Sequence, residues 1–524
     1  MLTRRKILLG GIAVGAWLAA QPAAAWTHGK NLGVVFHATD YGVAGVQGVD
    51  YKTQLFALAA DCIAANGPVT IYLPPGTIGS TDPRWLLGVN NATIIGDPVS
   101  RTSVQSLLNQ TNAYNTALPL WVGTPFYTNT ATYSGTITQT NGFLFNTAAV
   151  GATSITLTNP SDAGNFSIGK RIILYGYETN AYGGIPGARY FEWQTVTGVT
   201  GNVVGLSAPL KNSYNSLWAD LPDTIGPGLN SGAPRALLLD ASYYSYPSYL
   251  EFKNIRFANN PYHTETGVIN ITCDTLVLTN CLADYYLNSE INRQMTVNGG
   301  SFMNGTELDR MCGDITLTGG AAFGGTSGGG IAGAYEADNL VINGVTVSGS
   351  ISVCPKMLTI ENTSISYNSI NGSIWPQPAQ LPVSPYTVKN LTLNNSVGGT
   401  WSHIESLDNI LSVVVGRASG NNIVYSQTSW TDTAPNDVYR RLGTGTIIQK
   451  NDGTKTGTVQ DVTYNSVAQE MTIIINPSGG APVAGETWQW RPIQNFTNLG
   501  GHTILDGNAF TGWNPATNAT LPNL

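Results

Sequence analysis

Between residues 250 and 362 the chain repeats one short phrase: LEFKN (250–254), LVLTN (276–280), MTVNG (295–299), ITLTG (315–319), LVING (340–344) and LTIEN (358–362). Apolar residues hold the first and third positions of each copy, and Asn or Gly closes it. A strand turns its side chains to alternate faces, so each apolar pair points one way. Asn and Gly are the residues that accept a left-handed backbone. A strand ending in such a bend, recurring about every twenty residues, predicts an all-β solenoid of stacked coils.

Upstream, Leu55, Leu58, Ala59, Cys62 and Ile63 fall at helical spacing, and strand patterns follow at 69–76 and 92–96. One amphipathic helix is therefore expected to cover the open end of the solenoid, which would otherwise expose core. Residues 151–211 alternate in a different way, with strands at 152–158, 171–175, 194–197 and 202–206. They predict a small β-module inserted in the solenoid. Its longest loop, 176–193, holds Glu178, Arg189, Tyr190, Phe191, Glu192 and Trp193. Coiling is expected to resume near Leu237 and to lose register after Asn395. Residues 401–524 then form a C-terminal β-domain, either a cap or a homotrimerisation element.

Composition supports strands over helices. Only 10% of the 524 residues are charged, and 60 are Gly. A net charge of −7 without a basic run gives no nucleic-acid footprint. Residues 1–25 read as an export signal: Arg4, Arg5 and Lys6, an apolar stretch from Ile7 to Ala20, then Ala23 to Ala25. The paired arginines fit a twin-arginine signal, which exports folded proteins to a periplasmic or secreted location. No later stretch is long and apolar enough to span a membrane. The five cysteines are an odd number. Counted from the strand starts, Cys273 and Cys312 share one column two rungs apart, about 9.6 Å at ~4.8 Å per rung. A disulfide needs Cα atoms within ~7 Å, so buried free thiols are expected.

The order Asp40-Tyr41-Gly42, helix, then IYLPPG at 71–76 resembles the opening of pectate-lyase-like, right-handed parallel β-helix proteins. That superfamily includes polysaccharide lyases, polygalacturonase-type hydrolases and tailspikes. The acidic pair usual before the helix is here Asp50-Tyr51. The resemblance covers 40–96 well and 250–400 more loosely, and it implies a right-handed parallel β-helix over 26–400. It also implies an extended polymer bound along a groove parallel to the coil axis.

Phosphate loops, paired Cys-x-x-Cys, His-x-x-x-His and Gly-x-Ser-x-Gly elbows are absent from the sequence. No cofactor or metal is expected. Counting back from the bend of each rung gathers Glu290, Glu307, Asp309, Arg310 and Glu336, a dense group in a chain poor in charge. These are the candidate catalytic residues. Carboxylates on adjacent or alternate rungs match the ~5–5.5 Å and ~6.5–9.5 Å separations of retaining and inverting glycosidases. Tyr285, Tyr286, Tyr335, His263, Arg293, Glu192 and Trp193 are candidates for substrate binding. Glu290 and Arg310 equally suit a plain cross-rung ion pair, and Glu192 with Trp193 an anchor for the module. The chain thus reads as a polysaccharide-degrading glycoside hydrolase. A lyase, with Lys253, Arg256, Arg293 or Arg310 assisting, and a non-catalytic tailspike-like glycan-binding protein are the alternatives.

Overall fold

The computed structural model describes residues 33–109, 118–122, 142–176, 190–214, 233–239, 246–263, 266–289, 291–308, 311–324, 330–333, 337–353, 355–367, 371–376, 386–395, 400–402, 411–426, 446–465, 468–490, 496–498 and 503–504. They build a right-handed parallel β-helix with three faces. On the first face Tyr249–Lys253, Thr275–Ala283, Gln294–Phe302, Cys312–Thr318, Ala337–Asn343, Met357–Glu361 and Tyr386–Lys389 pair in parallel, rung on rung. The second face runs from Gly76–Ser80 and Thr102–Ser106 through Ile255–Ala258 to Ser364–Tyr367 and Thr392–Asn395. The third stacks Trp121–Val122, Ile269–Ile271, Leu287–Ser289, Thr306–Leu308, Ile331–Gly333, Ile351–Val353, Asn371–Pro376 and Thr400–Ser402.

The repeated phrase explains this stacking. Leu250 and Phe252, Leu276 and Leu278, Ile315 and Leu317, and Leu340 and Ile342 all lie in one continuous core. The closing residues form one column in the left-handed region: Asn254 (φ 56°), Asn280 (52°), Gly299 (72°), Gly319 (69°), Gly344 (68°) and Asn362 (50°). There the chain turns from the first face to the second. Asn side chains repay the αL strain by bonding along the column. Asn280 donates to Asn254 Oδ1 at 2.8 Å, and Asn390 to Asn362 Oδ1 at 3.0 Å.

The end helix spans Lys52–Ala64 and buries Leu55, Leu58, Ala59 and Cys62 against the first coils. Ile63, expected on that face, is instead 47% exposed. Cys62, Cys273, Cys281 and Cys312 are buried free thiols; Cys354 lies outside the described residues. Register puts Asn292 between Cys273 and Cys312. Asn292 donates to the carbonyls of Ile271 and Cys273, and Ser289 Oγ donates to Asn292 Oδ1 at 2.8 Å.

The inserted module is larger than 151–211. Its antiparallel sheet runs Phe143–Leu144, Arg235–Leu238, Arg171–Gly176, Tyr190–Thr200, Val203–Leu206, Ser154–Thr156. Coiling therefore does not resume near Leu237, which pairs antiparallel with Ile173. It resumes at Tyr249. The run Ala236 to Leu239 is apolar throughout because both faces of that strand are covered. Ala236 and Leu238 enter the module's own core, whereas Leu237 and Leu239 pack with Tyr246, Ile291 and Met311 of the solenoid side.

A second antiparallel sheet, between Leu411 and Trp490, buries Trp488 and Trp490 in its own core. It is not terminal. Thr400–Ser402 still pairs with the third face, and Phe496–Asn498 and Thr503–Ile504 then add another rung to the first and second faces. Both modules thus interrupt the coil at one corner, between the third face and the first.

Candidate functional site

On the third face Ile269, Ile271 and Leu287 enter the core, so the alternating Asn270 and Asn288 point away from it. Register extends their line: Trp121, Asn270, Asn288, Glu307, Ala332, Ser352, Trp375. Of the candidate catalytic acids, Glu307 alone has a described backbone position, in the middle of this line. The Oδ1 atoms of Asn270 and Asn288 are buried and find no hydrogen-bond partner. A buried amide oxygen without a donor costs about 1–3 kcal/mol, so folding alone does not account for these two residues.

Tyr285 and Tyr286 stand on the edge towards the second face, ring centroids 4.9 Å apart, packed on Leu118 and Val268. Val268 precedes Asn270 by two, and Tyr286 precedes Asn288 by two, so aromatic and amide share one surface. In the next two rungs that edge carries Gly305 and Gly330 (Thr306 N donates to Gly330 O). A Cβ on Gly305 would lie 1.8 Å from the Gly330 carbonyl, so this strip stays flat beside the tyrosines.

His263 belongs to the same edge one rung earlier. Its loop is tied locally: Asn259 Oδ1 accepts from Thr266 N and Gly267 N, and Asn260 Oδ1 from Tyr262 N. His263 Nε2 is buried without a partner. Beneath the loop Arg256 grips Asp284 with two bonds of 2.8 and 3.0 Å, which raises the guanidinium pKa.

Glu290, Asp309, Arg310, Tyr335 and Glu336 lie outside the described residues. The strand ends before them are described. Ser289, Leu308 and Gly333 share one register. In sequence Glu290 follows Ser289 and Asp309 follows Leu308. Counting back from the bends had instead aligned Glu290 with Arg310 and Tyr335. The mismatch arises because the corner from Ser289 to Gln294 is one residue shorter than that from Leu308 to Asp314.

After each of the first two acidic segments, a buried non-glycine residue adopts the left-handed region: Ile291 (φ 53°) and Met311 (φ 48°). Tyr246 Oη donates to Ile291 O at 3.0 Å and accepts from Trp193 Nε1 at 3.2 Å. The module's sheet thereby holds the corner in its strained form.

Other candidates are committed to folding. Arg293 makes two bonds to Asp274, at 2.8 and 2.6 Å. Lys253 pairs with Glu251 at 3.1 Å. Glu192 and Trp193 lie not in a loop but in the strand Tyr190–Thr200. Glu192 is buried in the module and accepts from Lys211 N, Tyr214 Oη and Asn212 N. Trp193 faces the other way, against the core shared with Tyr246 and Ile291. Among the described residues no three His, Cys, Asp or Glu side chains converge as a metal site.

Sequence reading passed over Asn270, Asn288 and Tyr246. The first is legible as Ile-Asn-Ile within the coil, an amide alternating with core residues. Tyr246 carries no local signal, because its partners are distant in the chain.

No protein-family model and no curated protein matches this sequence. Three solved structures are similar to it in overall course. The tailspike gp61 of Pseudomonas phage phi297 shares 12% identity, with 87% of this chain and 98% of that one covered, at a TM-score of 0.37. The Gp54 tailspike of Acinetobacter baumannii bacteriophage AP22, in complex with capsular saccharide, shares 11% over 87% and 95% (TM-score 0.32). The tailspike gp49 of Pseudomonas phage LKA1 shares 11% over 86% and 99% (TM-score 0.27). Likeness at this level bears on neither substrate nor chemistry.

Proposed function

We propose that the chain binds an extended polysaccharide along the third face of its β-helix, as a tailspike-like glycan-binding protein. The carrying observation is the surface shared by Tyr285, Tyr286, Asn270 and Asn288. An aromatic pair offers apolar ring faces, and two neighbouring amides keep unpaired acceptors buried just beneath that surface. Sugars present that combination of apolar C–H faces and hydroxyl donors. The stacked rungs set Asn270 and Asn288 in successive positions ~4.8 Å apart along such a polymer. Export by residues 1–25 and assembly as a homotrimer belong to the same proposal.

A second reading adds hydrolysis, favoured by the shared register of Ser289 and Leu308, which Glu290 and Asp309 follow directly. Two carboxylates at rung separation suit a retaining glycosidase. Elimination on a uronate is less well supported, since Lys253, Arg256 and Arg293 are each held by a carboxylate.

The test is a panel of bacterial and plant polysaccharides offered to the purified protein. Retention on at least one, weakened by Tyr286→Ala, supports binding along this face. New reducing ends lost in Glu290→Gln or Asp309→Asn add hydrolysis, and an unsaturated-uronate absorbance would replace it with elimination. Failure to bind any glycan, or binding unchanged by Tyr286→Ala and Asn288→Ala together, overturns the reading.

A further inference from the structure

The helix that closes the solenoid has a second face that, apart from Ile63 Cδ1 lying beside Gly88, has no apolar cover among the described residues. From Phe56 onward every exposed position on it is apolar: Phe56, Ala57, Ala60, Ile63 and Ala64. Phe56 is 39% and Ile63 47% exposed. A helix lying on a protein surface ordinarily carries polar residues there. Here one aromatic and one branched side chain stand at the two ends of a strip of alanines. The half-buried Asp61 beside the strip is held by Tyr41 Oη at 2.8 Å.

The described chain enters at the C-terminal end of this helix. Val34 N donates to Pro68 O at 3.0 Å, and Gly33 lies so close that a Cβ would meet the same carbonyl at 1.7 Å. Immediately before it stand Trp26, Thr27, His28, Gly29, Lys30, Asn31 and Leu32, the first residues after the expected signal cleavage. Two of these are apolar and lie at the ends of the segment. Extended, six steps from Leu32 to Trp26 span ~20 Å at ~3.3 Å each. Along the helix, Ile63 to Phe56 is only ~10.5 Å at ~1.5 Å per residue. The segment is long enough to lie on the strip from the end at which it is tethered.

We propose that the face formed by Phe56, Ala57, Ala60, Ile63 and Ala64 is the seat of the chain's own N-terminal segment. Leu32 packs at Ile63 and Ala64, and Trp26 covers Phe56 and Ala60. The alanines give the indole a flat bed, and tethering at Gly33 keeps the segment at high effective concentration. The end of the solenoid is then sealed by two layers, helix and strap. This inference is independent of the glycan reading.

The experiment is cysteine cross-linking in the mature chain. Trp26→Cys is combined with Phe56→Cys, and as control with Val483→Cys, which is 52% exposed on the second module. The four described native thiols are buried and do not compete. Under mild oxidation at micromolar protein, the Phe56 pair is expected to close within one chain roughly ten-fold faster than the control. A second measurement is hydrogen exchange of residues 52–64, expected to quicken several-fold in Trp26→Ala. Cross-links between chains would give the face to a second copy. Closure no faster than the control, or exchange unchanged by Trp26→Ala, would leave it to another partner. Any of these results overturns the proposal.

Discussion

Asn280 donates its side-chain amide to Asn254 Oδ1 at 2.8 Å, and both residues hold a left-handed backbone one rung apart. Each αL residue other than Gly costs about 1–2 kcal/mol, and each neutral hydrogen bond returns about 1 kcal/mol. Two substitutions separate these effects. Asn280→Gly relieves the strain but loses two bonds, the one to Asn254 and the one Oδ1 accepts from Arg101 Nη2, for a net loss of about 1–2 kcal/mol. Asn280→Ala keeps the strain and loses the same two bonds, for a loss larger by about 1–2 kcal/mol. Thermal unfolding of the two variants checks the order; Ala at least as stable as Gly would contradict it.

The module's grip on the solenoid gives a second prediction. Tyr246 is buried, and burial pushes its phenol pKa well up, so it stays a donor to Ile291 O. Tyr246→Phe leaves that carbonyl without its donor and Trp193 Nε1 without its acceptor, at about 1–3 kcal/mol for each group left unpaired. Trp193→Ala removes a large ring from the same core at about 3–5 kcal/mol. Both variants should release the segment 143–239 to limited proteolysis before the coils 266–367 are cut. Simultaneous cutting would show that the module is not held at this contact.

Much of the solenoid could be read from the chain, because its rung is a local phrase. LEFKN and its relatives carry their own inward pairs and their own bend, and Asn254, Asn280, Gly299, Gly319, Gly344 and Asn362 are all left-handed. What escaped depends on long gaps. Phe496–Asn498 rejoins the coil beside Tyr386–Val388 across an inserted module, and nothing within three residues announces that return. Leu237 misled because a strand covered on both faces has no alternation to read. For the proposed site, the structure gives Tyr285 and Tyr286 a place at the edge of the third face, and the backbone of Glu307 the register of Asn288. Arg293 and Glu192 are held in the fold by Asp274 and by the 211–214 turn, partners that no spacing rule connects to them.

The buried thiols make stability depend on alkaline pH. Burial pushes the Cys62 and Cys281 thiols up to about 12, and pushes Cys273 higher still. A thiol with a raised folded pKa stabilises fully below its unfolded pKa. As pH rises past about 9 the unfolded chain ionises while the folded one does not, so stability falls. Each thiol contributes a slope of about 1.4 kcal/mol per pH unit until the folded pKa is reached near 12. Unfolding midpoints between pH 8 and pH 11 should therefore drop, and Cys281→Ala should flatten the fall by one thiol's share. In native protein at pH 8 these thiols should resist a disulfide reagent that titrates them promptly in denaturant. Rapid labelling of the native chain would mean that the coil opens locally at Cys273 or Cys281.

The last prediction concerns how the third face divides its work. Tyr286 packs on Val268 and Leu118 with only part of its ring, and Asn288 is buried beside it. Tyr286→Ala removes a ring face from a glycan but leaves the core residues Leu287 and Ser289 in place. Affinity for a retained polysaccharide should fall ten-fold or more, about 1.4 kcal/mol or above, with little change in thermal stability. Glu290 and Asp309 follow directly in sequence after Ser289 and Leu308, the strand ends at the edge of the third face opposite the tyrosines. If the chain hydrolyses its glycan, Glu290→Gln and Asp309→Asn should keep the affinity and lose the new reducing ends. If it only binds, both should match the wild type in each measurement. Affinity lost at Glu290 and Asp309 but kept at Tyr286 would place the polymer along the corner between the third and first faces and off the aromatic edge.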